Sequence, residues 1–101
     1  MAKISKINSP ILEILQYGNI RETIIAMENP IVFLNSEDFQ TLRSQCVVKA
    51  RNVKYLRFEK VRIEEMAEIK MGLFYIMDCK GYDVDLLRIS LKMYLIKQNK
   101  E

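Results

Sequence analysis

The hydrophobic positions near the C-terminus recur at helical spacing, but they do so twice over. At about 100° per residue, Val84, Leu87, Leu91, Tyr94 and Leu95 share one stripe, while Leu86, Ile89, Met93 and Ile96 lie nearly opposite. The spacing predicts a helix over Val84 to Ile96. One apolar stripe is enough to dock a helix onto its own domain. A second stripe asks for a second surface, either more of the same small core or another chain.

The same period predicts a helix before it. Glu64 and Glu65 sit where negative charge favours a helix start, and Met66, Ile69, Leu73, Ile76 and Met77 make its stripe. Met71 and Tyr75 fall on its far side, and Phe74 lies on its flank. Gly81 suits the left-handed residue that closes a helix, Tyr82 a staple and Asp83 the cap of the next helix, with Asp85 in its first turn. The two helices together predict a C-terminal αα-hairpin.

Upstream, Ser9 and Pro10 form a helix-start signal, Ile11, Ile14 and Leu15 supply a stripe, and Gly18 closes it. Ile20 to Met27 fits a helix through Ile20, Ile24 and Met27, although its β-branched residues also suit a strand. The helical reading is preferred. After Pro30, the apolar run Ile31 to Leu34 predicts a short buried strand. Ser36 as cap, Glu37 and Asp38 in the first turn, and Phe39, Leu42 and Cys46 facing inward predict a helix from Glu37 to about Ala50.

Two periods compete over Val53 to Ile63. A single strand puts Leu56 and Phe58 on one face and Val53, Tyr55, Val61 and Ile63 on the other; a helix aligns only Val53, Leu56, Lys60 and Ile63. The strand fits better, against the absence of Gly and Pro from Ile31 to Met71. The expected fold is a mainly α single domain, residues 1–101, ending in an αα-hairpin and leaving room for two short strands. The alternative is an α+β fold in which Ile31–Leu34 and Val53–Ile63 pair across the intervening helix as a small βαβ unit.

Composition narrows the function classes. Half of the residues are apolar and 29% are charged, which is globular composition. No segment reads as a signal peptide and no run of apolar residues is long enough to span a bilayer, so a cytoplasmic protein without membrane contact is expected. Cys46 and Cys79 have no ligand-like spacing and read as reduced, packed thiols.

Histidine is absent, which removes the commonest general base near neutral pH and the commonest transition-metal ligand. None of the three glycines sits in a phosphate-cradling motif. A non-enzymatic protein with no cofactor and no metal site is therefore expected. Asp78, Asp83 and Asp85 gather near the hairpin turn, where capping explains them better than a cation does.

Charge is unevenly distributed. The whole chain carries +3, yet residues 42–62 hold seven basic side chains against one acid, Glu59. Two interaction readings follow. The first is a small regulatory protein that forms a homo-oligomer or docks on a protein partner through Met71, Tyr75, Leu86, Ile89, Met93 and Ile96. The second is a nucleic-acid-binding protein using Lys49, Arg51, Lys54, Tyr55, Arg57, Lys60 and Arg62, in which aromatic rings interleave with cations. Against the second, the same charges serve to solvate the domain or to pair with Glu64, Glu65 and Glu68.

Overall fold

A computed structural model of the chain describes residues 2–3, 18–44, 55–81 and 83–99. In chain order the elements are β1 (Ala2–Lys3), α1 (Gly18–Ala26), β2 (Pro30–Leu34), α2 (Ser36–Ser44), β3 (Tyr55–Phe58), β4 (Val61–Glu65), β5 (Phe74–Asp78) and α3 (Val84–Asn99). The strands form one mixed sheet in the order β1-β3-β4-β2-β5, in which β2, β3, β4 and β5 make the structural core. β2 runs parallel to β4 and antiparallel to β5, and β3 pairs antiparallel with β4.

Every residue of β2 is buried. A strand with neighbours on both sides and cover on both faces reads as a continuous apolar run, and Pro30–Leu34 is such a run. Alternation along it divides the core into two. Val32 and Leu34 pack with Leu56, Val61 and Ile63 beneath Ile24 of α1 and Phe39 and Leu42 of α2. Ile31 and Phe33 pack on the opposite face with Met66, Ile69, Leu91 and Leu95, the last two from α3. The molecule is thus three layers, with α1 and α2 on one side of the sheet and α3 on the other.

The mainly α expectation is overturned by this sheet. The helix expected to open at Glu64 and Glu65 and to run through Met77 is instead the end of β4, a turn, and β5. β2 buries its backbone and needs a hydrogen-bonding strand on each side, and these two segments supply both. Between them the chain turns through Gly72, whose φ of +85° belongs to the left-handed region that a helix interior does not contain. The described residues form no C-terminal αα-hairpin: α3 is preceded by the strand β5. Gly81 is left-handed as expected, but it follows β5.

Val53–Ile63 is not one strand either. β3 and β4 form a hairpin around Glu59 and Lys60, with Phe58 opposite Val61 and Leu56 opposite Ile63. The tight turn reverses the parity of the chain, so Leu56, Phe58, Val61 and Ile63 all reach one face. Glu59 takes φ +54° with no glycine to signal it. The parallel partner of β2 is therefore β4, one strand later than a simple βαβ unit places it.

The remaining expectations are local. Ile20 to Met27 lies largely in α1. α2 begins where expected and buries Phe39 and Leu42, but its cap is Asn35, whose Oδ1 accepts the Glu37 N–H at 2.8 Å. Asn35 also donates to the Ile69 carbonyl at 2.7 Å, and Asp38 accepts the Gly72 N–H at 2.8 Å, which pins the β4–β5 connection to the start of α2. Asp83 caps α3 by accepting the Asp85 N–H at 2.8 Å. The helix expected after Ser9–Pro10, and the positions of Cys46 and Tyr82, lie outside the described residues.

Candidate functional site

Three features converge on α3: an apolar outer face, an ionic cluster beneath it, and a cavity of mixed lining by its first turn. Val84, Leu87, Leu91 and Leu95 face the sheet, and Leu91 and Leu95 are buried. The opposite stripe is in solvent, with Leu86 61% exposed, Ile89 53%, Met93 67% and Ile96 39%. Tyr94, expected on the inner stripe, sits at its edge and is also exposed. Burial of one such side chain is worth about 1.5–3 kcal/mol, so this face holds considerable stabilisation that the single chain does not collect.

Met71 and Tyr75, expected to share that face, do not. Met71 is exposed in the turn before Gly72. Tyr75 is on β5, packed against the cluster under α3. The far-side position that a helix would have given it is the core side of a strand. Leu73 and Tyr94 line one depression beside the C-terminal half of α3, together with the polar side chains of Glu68, Lys70, Gln98 and Asn99.

Under α3 the sheet changes character. On β4 the alternation that sends Ile63 to the α1–α2 side sends Arg62 and Glu64 to the α3 side. The register sets Glu64 between Phe33 on β2 and Tyr55 on β3, and Arg62 between Ile31 and Arg57. Glu64 is fully buried. One of its oxygens accepts from Arg62 Nε at 2.6 Å, and the other is met by Arg88 of α3. The Arg62 guanidinium also lies over the Tyr55 ring, 3.8 Å from its centroid. Burial, and after it the neighbouring Arg62 charge, lowers the pKa of Arg88 below its ordinary value.

A buried carboxylate is tolerated only when paired, and two guanidiniums around one carboxylate meet that requirement with one positive charge left over. Neither Glu64 nor Arg88 was a predicted site residue. Arg88 stands one turn after Val84 and one turn before Leu91, within the inner stripe. A lone charge in an apolar stripe was the available signal.

The predicted basic segment is divided by the fold. Lys49, Arg51 and Lys54 lie outside the described residues. Tyr55 is partly covered, with Arg62 on one side of its ring. Lys60 donates to the Ile25 and Met27 carbonyls at 2.8 and 2.6 Å, supplying to the C-terminal end of α1 the cation that its own last turn lacks. Arg57 donates to the Lys60 carbonyl at 3.4 Å. The structure nonetheless brings Arg57, Lys60 and Arg62 together around a cavity of about 220 Å³, which Asn29, Cys79 and Val84 also line.

Asp78, near this cavity, accepts the N–H groups of Asn29 at 2.9 Å and Glu28 at 3.1 Å, and more weakly that of Lys80. The Asn29 bond is the main reason its pKa falls below the ordinary value; partial desolvation opposes the fall, and the other two bonds and the Lys80 charge add to it. Among the described residues no three His, Cys, Asp or Glu side chains gather as a metal site, and no helix is long and apolar enough to cross a membrane. No protein-family model, curated protein or solved structure matches the chain.

Proposed function

We propose that this chain is a non-catalytic interaction module that pairs with a second copy of itself through the outer face of α3. The observation that carries the reading is the exposed stripe Leu86, Ile89, Met93 and Ile96 on a helix whose other stripe is already committed to the sheet. A two-fold contact places the same patch on both partners and requires only that the patch complement itself. An antiparallel pair of α3 helices does so: Leu86 of one copy comes level with Ile96 of the other, and Ile89 with Met93.

Charge favours the same arrangement. The start of α3 carries Asp83 as its cap and Asp85 in its first turn, and its later half carries Lys92 and Lys97. Antiparallel pairing sets the acidic end of each helix beside the basic end of its partner and opposes the two helix dipoles. The adaptable thioether of Met93 sits near the centre of such a contact.

Light scattering behind size exclusion tests this. Wild-type protein is expected at twice the chain mass over a micromolar concentration range, with little response to salt. The double variant Leu86→Glu/Met93→Glu is expected as a monomer with an unchanged far-UV spectrum. A wild-type monomer at all concentrations, or a folded double variant that keeps the wild-type mass, overturns the reading.

A further inference from the structure

The two edges of the sheet are finished differently. One ends on β1, only two residues long and carrying Lys3, a short charged edge of the kind that discourages further pairing. The other ends on β5, five residues long with neither lysine nor proline. Its one charged side chain, Asp78, is turned back onto the Glu28 and Asn29 N–H groups of its own chain. Among the described residues no strand pairs with the outer edge of β5. We infer that this edge pairs with the β5 edge of a second copy, antiparallel about a two-fold axis through Ile76, and so continues the sheet from one chain into the next.

The register fixes which backbone groups look outward. The Cys79 N–H donates to the Asn29 carbonyl at 2.9 Å, and these two residues continue the β2–β5 register. Bonded and non-bonded pairs alternate in an antiparallel ladder, so Ile31 with Met77 and Phe33 with Tyr75 are the bonded pairs. The Met66 N–H, donating to the Leu34 carbonyl at 2.7 Å, gives the same parity, because it turns the Leu34 backbone toward β4 and away from β5. Tyr75 and Met77 therefore spend their N–H and C=O groups on β2. Those of Phe74, Ile76 and Asp78 point away from the sheet, and among the described residues no backbone group meets them.

A row of donors and acceptors at strand spacing is matched by another extended backbone. The β5 sequence suits itself as that partner. With Ile76 opposite Ile76 of the second copy, Phe74 falls opposite Asp78, and the outward groups of all these residues gain partners. Tyr75 then falls opposite Met77 of the second copy on the α3 side, an aromatic ring against a thioether, and the two-fold axis repeats the pair. The contact goes beyond the α3 pairing and uses a different part of the molecule. It is small beside the interfaces that hold at micromolar concentration, so it forms in more concentrated protein. A chain with two distinct two-fold contacts builds a tetramer or an open row rather than a single pair.

Amide hydrogen exchange of the full chain, followed by NMR in concentrated protein and after dilution, tests this. The N–H groups of Phe74, Ile76 and Asp78 are expected to exchange about tenfold more slowly in the concentrated sample, as pairing of about nine chains in ten requires, while Tyr75 and Met77 are protected equally in both. Equal exchange of the outward amides in the two samples overturns the proposal, whether fast, because nothing pairs with the edge, or slow, because the chain covers the edge itself. The Leu86→Glu/Met93→Glu protein is expected to keep the concentration dependence. Its loss there assigns the effect to α3 and also overturns the proposal, so the two contacts fail separately. Ile76→Pro removes one outward N–H and no bond to β2, and proline is tolerated at a sheet edge. A folded Ile76→Pro protein is expected to lose the dependence at Phe74 and Asp78; one that retains it overturns the proposal.

Discussion

The two faces of one sheet carry opposite kinds of core. On the side of α1 and α2, the buried residues described are apolar: Val32, Leu34, Leu56, Val61 and Ile63 against Ile24, Phe39 and Leu42. On the side of α3, only the half over β2 and β5 is apolar; the half over β3 and β4 holds Tyr55, Arg57, Arg62 and Glu64 with Arg88 above them. The second face places charge, cavity and an unburied helix face within one layer. The difference comes from a single alternation, since Ile63 and Glu64 are consecutive residues of β4, both at 0% exposure, pointing opposite ways.

That pair is the place to break the comparison. Ile63→Ala removes a branched side chain from the centre of the apolar face and is expected to destabilise by about 4 kcal/mol in urea unfolding, within the range for buried Ile truncations. Glu64→Leu is expected to cost about 3 kcal/mol for a different reason, because it leaves Arg88 and Arg62 facing one another without their anion. The two mechanisms separate in combination. Adding Arg88→Leu to Glu64→Leu should recover a large part of the loss, whereas adding it to Ile63→Ala should not. A double variant no more stable than Glu64→Leu alone would show that the ionic cluster does not act as a unit.

Legibility in the sequence follows the same division. The two stripes of α3 were readable because a four-turn helix samples its period several times, and no competing signal interrupts it. β5 and the end of β4 were not, because strands of five residues sample their period too few times to outweigh a helical one. Methionine and leucine at Met66, Leu73 and Met77 happened to fall at helical intervals, and that period outweighed Gly72, which lies between them and marks the turn. The β3–β4 turn was hidden because Glu59 adopts a left-handed conformation without glycine or asparagine. Once that turn is missed, Val61 and Ile63 are assigned to the face opposite Leu56 and Phe58, whereas all four share one. The Glu64–Arg88 contact joins a strand to a helix far along the chain, and only the register reveals it. The basic segment was visible as charge. Which of its members share a cavity depended on the hairpin.

The smallest expected effect sharpens the contrast at the edge of the charged face. Asp78 ends β5 and ties the turn before β2 to it through the N–H groups of Asn29 and Glu28. Its pKa is lower in the folded protein than its ordinary value, chiefly through the Asn29 bond. A carboxyl depressed in this way contributes stability that is present above the unfolded pKa, roughly 3.9, and is lost as pH falls through the folded one. Asp78→Asn keeps the shape and removes the charge. Its urea midpoint should lie below wild type at pH 7, and the gap should close as both proteins are taken below about pH 4. Ile63→Ala, which touches no ionisable group, should keep a constant gap over the same window. If the Asp78→Asn gap is equally constant, the carboxylate holds the turn by its shape alone, and the charged layer ends at Arg57, Arg62, Glu64 and Arg88.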